Sequence, residues 1–381
     1  VQIIHEESGF RASFSDFSVR SDFQKNKDFF VRKFFNEKNN EAFDLEIDSL
    51  FRVEIVKVDE CEHVIMLAMH HIISDGWSLE NILAEMNMIY SAFVEGESCP
   101  LPDLKIQFAD YAYWENAYFQ SQVSRKHLSS LSQRLHQVEQ LDLKVDKPRP
   151  AEKSFYPGGV LGVKLDESLV ADLRELAKDK KVTLFMVMLS VYYIFLSRRS
   201  NQKDIVVGSP LSTRVFSELE HVVGYLINIV IYRGYVDEDG TFENLLNKVK
   251  FDILDVMETV HIPYEKINHE NKNKNLIRAM FNLQNVPSGS VSTSKLKLKG
   301  SKYESSNSRM MVSDMGFRFL EKDGKLGGVF DYRKDLFDDE SASLMVNEYV
   351  MLLRLVTKSS NRKISFLKNK NIMRDFELEC C

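Results

Sequence analysis

Apolar and polar positions along this 381-residue chain follow two rhythms, one of period two and one near 3.6, and these predict its strands and helices. Leu50 to Val58 alternates as a half-buried strand should. Val64 to Met69 is apolar at both parities, the pattern of a central strand buried on both faces, and the acidic turn Asp59–Glu62 pairs it with the strand before. Leu79, Ile82, Leu83, Met86, Ile89, Tyr90 and Phe93 then keep helical spacing. Upstream, loose alternation around Ile3-Ile4-His5 predicts an edge strand and a loop, and Phe30, Val31, Phe34 and Phe35 predict a helix within 23–35.

Further on, Phe108 to Trp114 opens a long aromatic helix, which a strongly polar stretch continues to Glu139. Pro148 and Pro150, with charges around them, cannot lie inside a helix, so 146–159 reads as a linker between a domain at 1–145 and another at 160–381. The second half predicts a strand (160–165), a helix (167–178), a buried helix (184–198), a strand (204–208) and a loop (208–214). A strand over 223–233 with one polar intruder, Asn228, precedes an amphipathic helix at 242–260. Polar loops at 268–275 and 286–309 flank a strand at 280–285. Two strands around an Asp323-Gly324 turn and a helix over 338–358 complete the pattern. There is no internal repeat.

Composition narrows the function classes. With 44% hydrophobic and 28% charged residues the chain is ordinary for a globular protein. Lys+Arg 50 against Asp+Glu 56 shows no basic bias toward nucleic acid. The most apolar run, Leu184 to Leu196, is too short to span a bilayer, so no membrane partner is expected. Cys61, Cys99, Cys380 and Cys381 have neither disulfide-framework nor zinc spacing, which fits a reduced, cytoplasmic setting. No signal peptide is evident. The chain begins at Val1, already within structured pattern, so a piece of a larger protein is expected.

The candidate chemistry stands where the apolar strand hands over to the helix, at His70-His71-Ile-Ile-Ser-Asp75-Gly76-Trp77-Ser78. Strand alternation predicts that the two imidazoles face opposite sides. Ser74, Asp75 and Gly76 are turn and capping chemistry. Each residue also has a plain structural reading: a core histidine with its hydrogen bonds met, an aspartate that only caps a helix, a buried Asn228 that only satisfies its neighbours. No His-Glu-x-x-His or third ligand at useful spacing supports a metal site.

His70-His71-x-x-x-Asp75-Gly76 with Trp77-Ser78 resembles the signature of the condensation domains of nonribosomal peptide synthetases, which resemble chloramphenicol acetyltransferase in fold. Phe108-Ala-Asp-Tyr-Ala-Tyr-Trp114 is similar to the family's Tyr-x-Asp-Tyr-Ala-x-Trp, with Phe108 in the first aromatic slot. The family also has a proline- and arginine-rich linker, and its Gly-x-x-x-Asn motif resembles Gly224 to Asn228. Pro263-Tyr-Glu265 matches only the end of the Pro-Phe-Glu motif. Met280 to Asn285 resembles a family strand, but Asn273 and Asn275 occupy the slots of the arginine and proline that stand before it. The family's two motifs upstream of Val1 are absent.

The resemblance implies an α/β fold of two acetyltransferase-like lobes in a V-shaped pseudodimer around a central tunnel. It implies donor and acceptor carrier proteins at the tunnel mouths, each bringing a thioester on phosphopantetheine, an adjacent adenylation domain, a monomeric state and a role in antibiotic or other secondary-metabolite biosynthesis. The domain itself would bind no cofactor and no metal. His71 would take a proton from the attacking amine, and His70 would be structural. Asp75 would hold the turn through a salt bridge, Gly76 would let the backbone pass close to substrate, and Trp77 and Asn228 would line the channel. There is no serine or cysteine nucleophile signature, so direct transfer is implied. The alternatives are an epimerising or ester-forming relative and a non-catalytic module that recruits carriers or a tailoring enzyme. Ring-forming relatives carry aspartate in place of the histidines.

Overall fold

The computed structural model describes residues 3, 10–19, 23, 26–151, 156–270, 276–284, 310–322 and 324–369. By compactness these form two units. One takes the described residues up to Phe108 together with Glu218–Leu226; the other takes those within Ala109–Ser217, Ile227–Ser288 and Ser308–Cys381. The described residues of the expected linker at 146–159 lie within the second unit, and 156–159 already belong to a strand (Tyr156–Val163). The polar loop expected over 268–275 begins later than predicted, because residues 268–270 are helical; its remainder, the expected loop at 286–309, and Ile4, His5, Asn285, Asp323, Cys380 and Cys381 lie outside the described residues.

In the first unit, β1 (Ser13–Asp16), β2 (Phe51–Asp59) and β3 (Glu62–Met69) form a sheet in that order, β1 parallel to β2 and β2 antiparallel to β3. The β2–β3 hairpin has the predicted register, with Val56 opposite Val64 and Asp59 opposite Glu62. Yet β3 is the last strand of this described sheet and its residues are half-buried or exposed, so the expectation of a central strand buried on both faces does not hold. An apolar run at both parities records what a strand could bury, not what its own unit covers. Helix α1 (Lys27–Asn39) packs Phe30, Phe34 and Phe35 around Phe23, Val31, Val56 and Val58. Helix α2 (Gly76–Glu95) follows the histidine turn and ends on Gly96 in the left-handed region, φ 76°, a standard glycine C-cap.

The second unit is larger. Its helices are α3 (Phe108–Gln120, whose first residue belongs to the first unit), α4 (Gln122–Arg134), α5 (Glu167–Asp179), α6 (Leu184–Ser200), α7 (Phe242–Glu258), α8 (Tyr264–Glu270), α9 (Asp339–Lys358) and the short α10 (Ile364–Leu367). Its strands are β4 (Tyr156–Val163), β5 (Asp204–Ser212), β6 (Ile227–Tyr235), β7 (Ala279–Gln284), β8 (Met310–Met311), β9 (Met315–Lys322) and β10 (Lys325–Arg333). They make a mixed seven-stranded sheet in the order β6-β5-β7-β9-β10-β4-β8. Helix α6 is apolar all round because it is buried all round, with Tyr192, Phe195, Phe281, Phe317 and Tyr349 packed ring against ring. No single described helix is long and apolar enough to cross a membrane.

Several boundaries differ from expectation, three of them near residues that the sequence singles out. The aromatic helix and its polar continuation are two helices, broken where the Ser121 side chain caps α4. β5 runs on through Pro210 to Ser212, where a loop is predicted. It pairs with β7 at Gly208 alone, and Pro210 lies past that contact, where a missing N–H is tolerated. The strand predicted over 223–233 begins only at Ile227, because the residues before it belong to the other unit.

Candidate active site

Strand β3 stops at Met69, so alternation no longer sets the directions of the two histidines that follow. The His70 N–H still donates to the Leu50 carbonyl (3.0 Å), and the Ile73 N–H donates to the His70 carbonyl (3.1 Å), which turns the chain. The rings diverge within that turn. His70 accepts the Ile72 N–H on Nδ1 at 3.1 Å and sits edge-on to Phe43. His71 places Nδ1 at 2.6 Å from the Ser74 carbonyl. A carbonyl only accepts, so Nδ1 of neutral His71 carries the proton and Nε2 carries the lone pair. His71 is exposed, and Nε2 has no hydrogen bond among the described residues.

Asp75 is buried, 4% exposed, and caps α2. Its Oδ1 accepts from the Ser78 N–H and Oγ–H, both at 2.8 Å. Its Oδ2 accepts the N–H of Leu226, 151 residues away in sequence, at 3.1 Å. That bond is one of a set by which the start of α2 clasps Glu218–Leu226. Ser78 Oγ accepts the Gly224 N–H at 3.0 Å and lies 2.9 Å from the Gly224 carbonyl. Trp77 Nε1 and Asn81 Nδ2 both donate to the Glu220 carbonyl, at 2.8 and 2.7 Å. Tyr225 meets His71 ring to ring, centroids 5.4 Å apart with planes at 87°. Gly76 is different: a Cβ there would touch no protein atom within 4 Å, so the fold does not require glycine at that position.

Gly224 is a glycine for a packing reason. A Cβ on it would lie 2.2 Å from Cδ2 of Phe108. Gly224→Ala is expected to cost about 1–3 kcal/mol by overpacking, and Phe108→Ala in the same chain should restore most of that loss. Urea denaturation of the two single variants and the double variant measures the coupling.

Asn228 stands in the second unit. Its Nδ2 donates to the carbonyls of Val260 (2.7 Å) and Ile262 (2.6 Å), and its Oδ1 accepts from Tyr264 N at 3.4 Å. These bonds tie β6 to the loop before α8 and support the structural of its two sequence readings. Between those carbonyls, His261 packs against Trp114 and Tyr118, and its buried Nδ1 has no partner among the described residues. Burial lowers its pKa below the usual 6.5. The unfolded chain therefore takes up this proton at a higher pH than the folded one does, and stability falls as pH drops below about 6.5. Chemical denaturation between pH 5 and 8 should show that slope, and His261→Phe should flatten it.

A sequence model of the family described as "Condensation domain" matches residues 1–378. The chain belongs to that family. This condensation domain is 31% identical over 377 residues to one of the linear gramicidin synthase polypeptides of Brevibacillus parabrevis, a match that covers 96% of this chain and 7% of that relative. It is 31% identical over 331 residues to surfactin synthase subunit 1 of Bacillus subtilis (strain 168), covering 84% of this chain and 9% of that relative. The chain thus spans less than a tenth of the length of these nonribosomal peptide synthetase polypeptides. Among solved structures, the X-domain from teicoplanin biosynthesis aligns with TM-score 0.75 at 20% identity, over 93% of this chain and 80% of that one. At that identity the likeness shows the fold, the mixed α/β two-lobe architecture of condensation domains.

Three partners in the site are not legible in the sequence: Tyr225, Asn81 and the Glu220 carbonyl. The signal that points to them is Gly224 inside an apparent strand, which marks a bend or a close backbone approach.

Proposed function

We propose that this condensation domain is catalytic: it transfers an acyl or peptidyl group from the thioester of a donor carrier protein to the amine of an aminoacyl thioester on an acceptor carrier, forming a peptide bond. The observation that carries this reading is the state of His71, with its Nδ1 proton held by the Ser74 carbonyl and its Nε2 lone pair uncommitted at an exposed position. As the amine nitrogen bonds to the thioester carbon, Nε2 takes the proton it loses; the carbon–sulfur bond breaks, and the sulfur leaves as thiolate and is protonated in turn. The imidazolium formed keeps its Nδ1–H on Ser74, now as a charge-assisted bond.

The remaining residues position. Asp75 and Ser78 fix the turn and the 218–226 segment, His70 braces the turn against Phe43, and open space beside Gly76 leaves room for a substrate arm. Trp77 is half-buried with its indole N–H tied to Glu220, and in this reading its ring lines the path of the substrate arm. The phosphopantetheine arms belong to the carriers and count as substrate; an adenylation domain is the expected neighbour that loads them. The test is intact-protein mass spectrometry of a loaded donor carrier and a loaded acceptor carrier. The acyl mass should appear on the acceptor, and should fail to appear when the acceptor's amine is capped. Transfer to a capped acceptor, or simple hydrolysis of the donor, would contradict the assignment.

A further inference from the structure

The bonds that hold the 218–226 segment fall on both sides of Tyr225. The Gly224 N–H is fixed by Ser78 Oγ, and the Leu226 N–H by Asp75 Oδ2. Gly224 is further pressed against the Phe108 ring, and Leu226 is fully buried. The backbone of Tyr225 is therefore set from both flanks by the first turn of α2, yet its side chain is 40% exposed. Burial does not explain where that ring lies. What it does meet is the imidazole of His71, edge to face at 5.4 Å.

His71 has one described hydrogen bond, at Nδ1, and a ring hinged at one atom can still pivot. A second contact on the ring is needed to aim Nε2, and Tyr225 makes it. We infer that Tyr225 is a positioning residue that aims Nε2 of His71, so that Asp75 and Ser78 act on His71 from two sides, through the 71–74 turn and through Tyr225. The inference rests on the reading of His71 as proton acceptor. It explains why one cap is bonded both to its own helix and to a segment so distant in sequence.

The test compares Tyr225→Phe and Tyr225→Leu. Leucine should lower kcat by about tenfold, the upper range for one aromatic pair, with KM and the melting curve unchanged; phenylalanine should keep wild-type kcat. In NMR relaxation of the imidazole Cε1–H, His71 should be rigid in wild type and Tyr225→Phe and should pivot freely in Tyr225→Leu. Wild-type kcat with a rigid His71 ring in Tyr225→Leu would overturn the inference. So would an equal kcat loss in both variants, because the hydroxyl and not the ring would then matter. The spectra need no turnover. If His71→Ala transfers as fast as wild type, the reading of His71 falls, while the relaxation comparison still decides whether Tyr225 orients the ring.

Discussion

Replacing His71 by alanine is expected to slow single-turnover acyl transfer by about 10²–10⁴-fold and to leave the melting curve in place. The two halves of that result have separate physical origins. His71 is exposed and its described hydrogen bond goes to a carbonyl that water can reach in its absence, so the fold loses little. The reaction loses the group that takes the amine proton. What survives is the rate due to holding two thioesters side by side, and positioning alone is worth up to roughly 7–11 kcal/mol in favourable cases. Rapid-quench time courses with loaded carriers give the rate, and circular dichroism gives the melting curve. A variant that transfers at the wild-type rate would remove His71 from the chemistry. A collapsed melting curve would make it a folding residue.

Asp75→Ala reverses the pattern, with its main effect on stability. The substitution removes the cap of α2 and leaves the buried Leu226 N–H without its acceptor. A lost cap costs about 1 kcal/mol and each stranded buried donor about 1–3, so about 2–4 kcal/mol is expected. Asp75→Asn should fall between: it keeps Oδ1 for Ser78 and turns an NH₂ toward the Leu226 N–H, donor against donor. Urea midpoints give the loss. Amide hydrogen exchange at Gly224 and Leu226 locates it, because these two N–H groups should lose protection before the β2–β3 hairpin does. Unchanged protection at both would mean that the clasp does not depend on Asp75.

How much of this is legible in the sequence depends on whether the interaction is local. The β2–β3 hairpin, α2 and its Asp75 cap each follow from residues within a few positions of one another, and the pattern predicts each of them. The clasp escapes it, because its halves are about 150 residues apart and its second half, Val223 to Leu226, is apolar enough to pass for the start of a strand. Asn228 shows the same limit from the other side. A polar residue in an apolar run must find partners, but whether these are a substrate or the carbonyls of Val260 and Ile262 is set by a loop that the strand pattern does not see. The divergence of His70 and His71 is expected from the sequence, but for a different reason. It comes from the turn after Met69 and not from strand alternation.

The central claim is that a condensation domain of this sequence forms its product through His71. The most direct measurement runs wild type and His71→Ala side by side on the same pair of loaded carriers, reading the masses of both carriers over time. The acyl mass should move from donor to acceptor with wild type and stay on the donor with His71→Ala over the same interval. Equal transfer by the two proteins would contradict the role of His71. No transfer by either, with both carriers bound, would contradict catalysis itself and leave a module that recruits carriers.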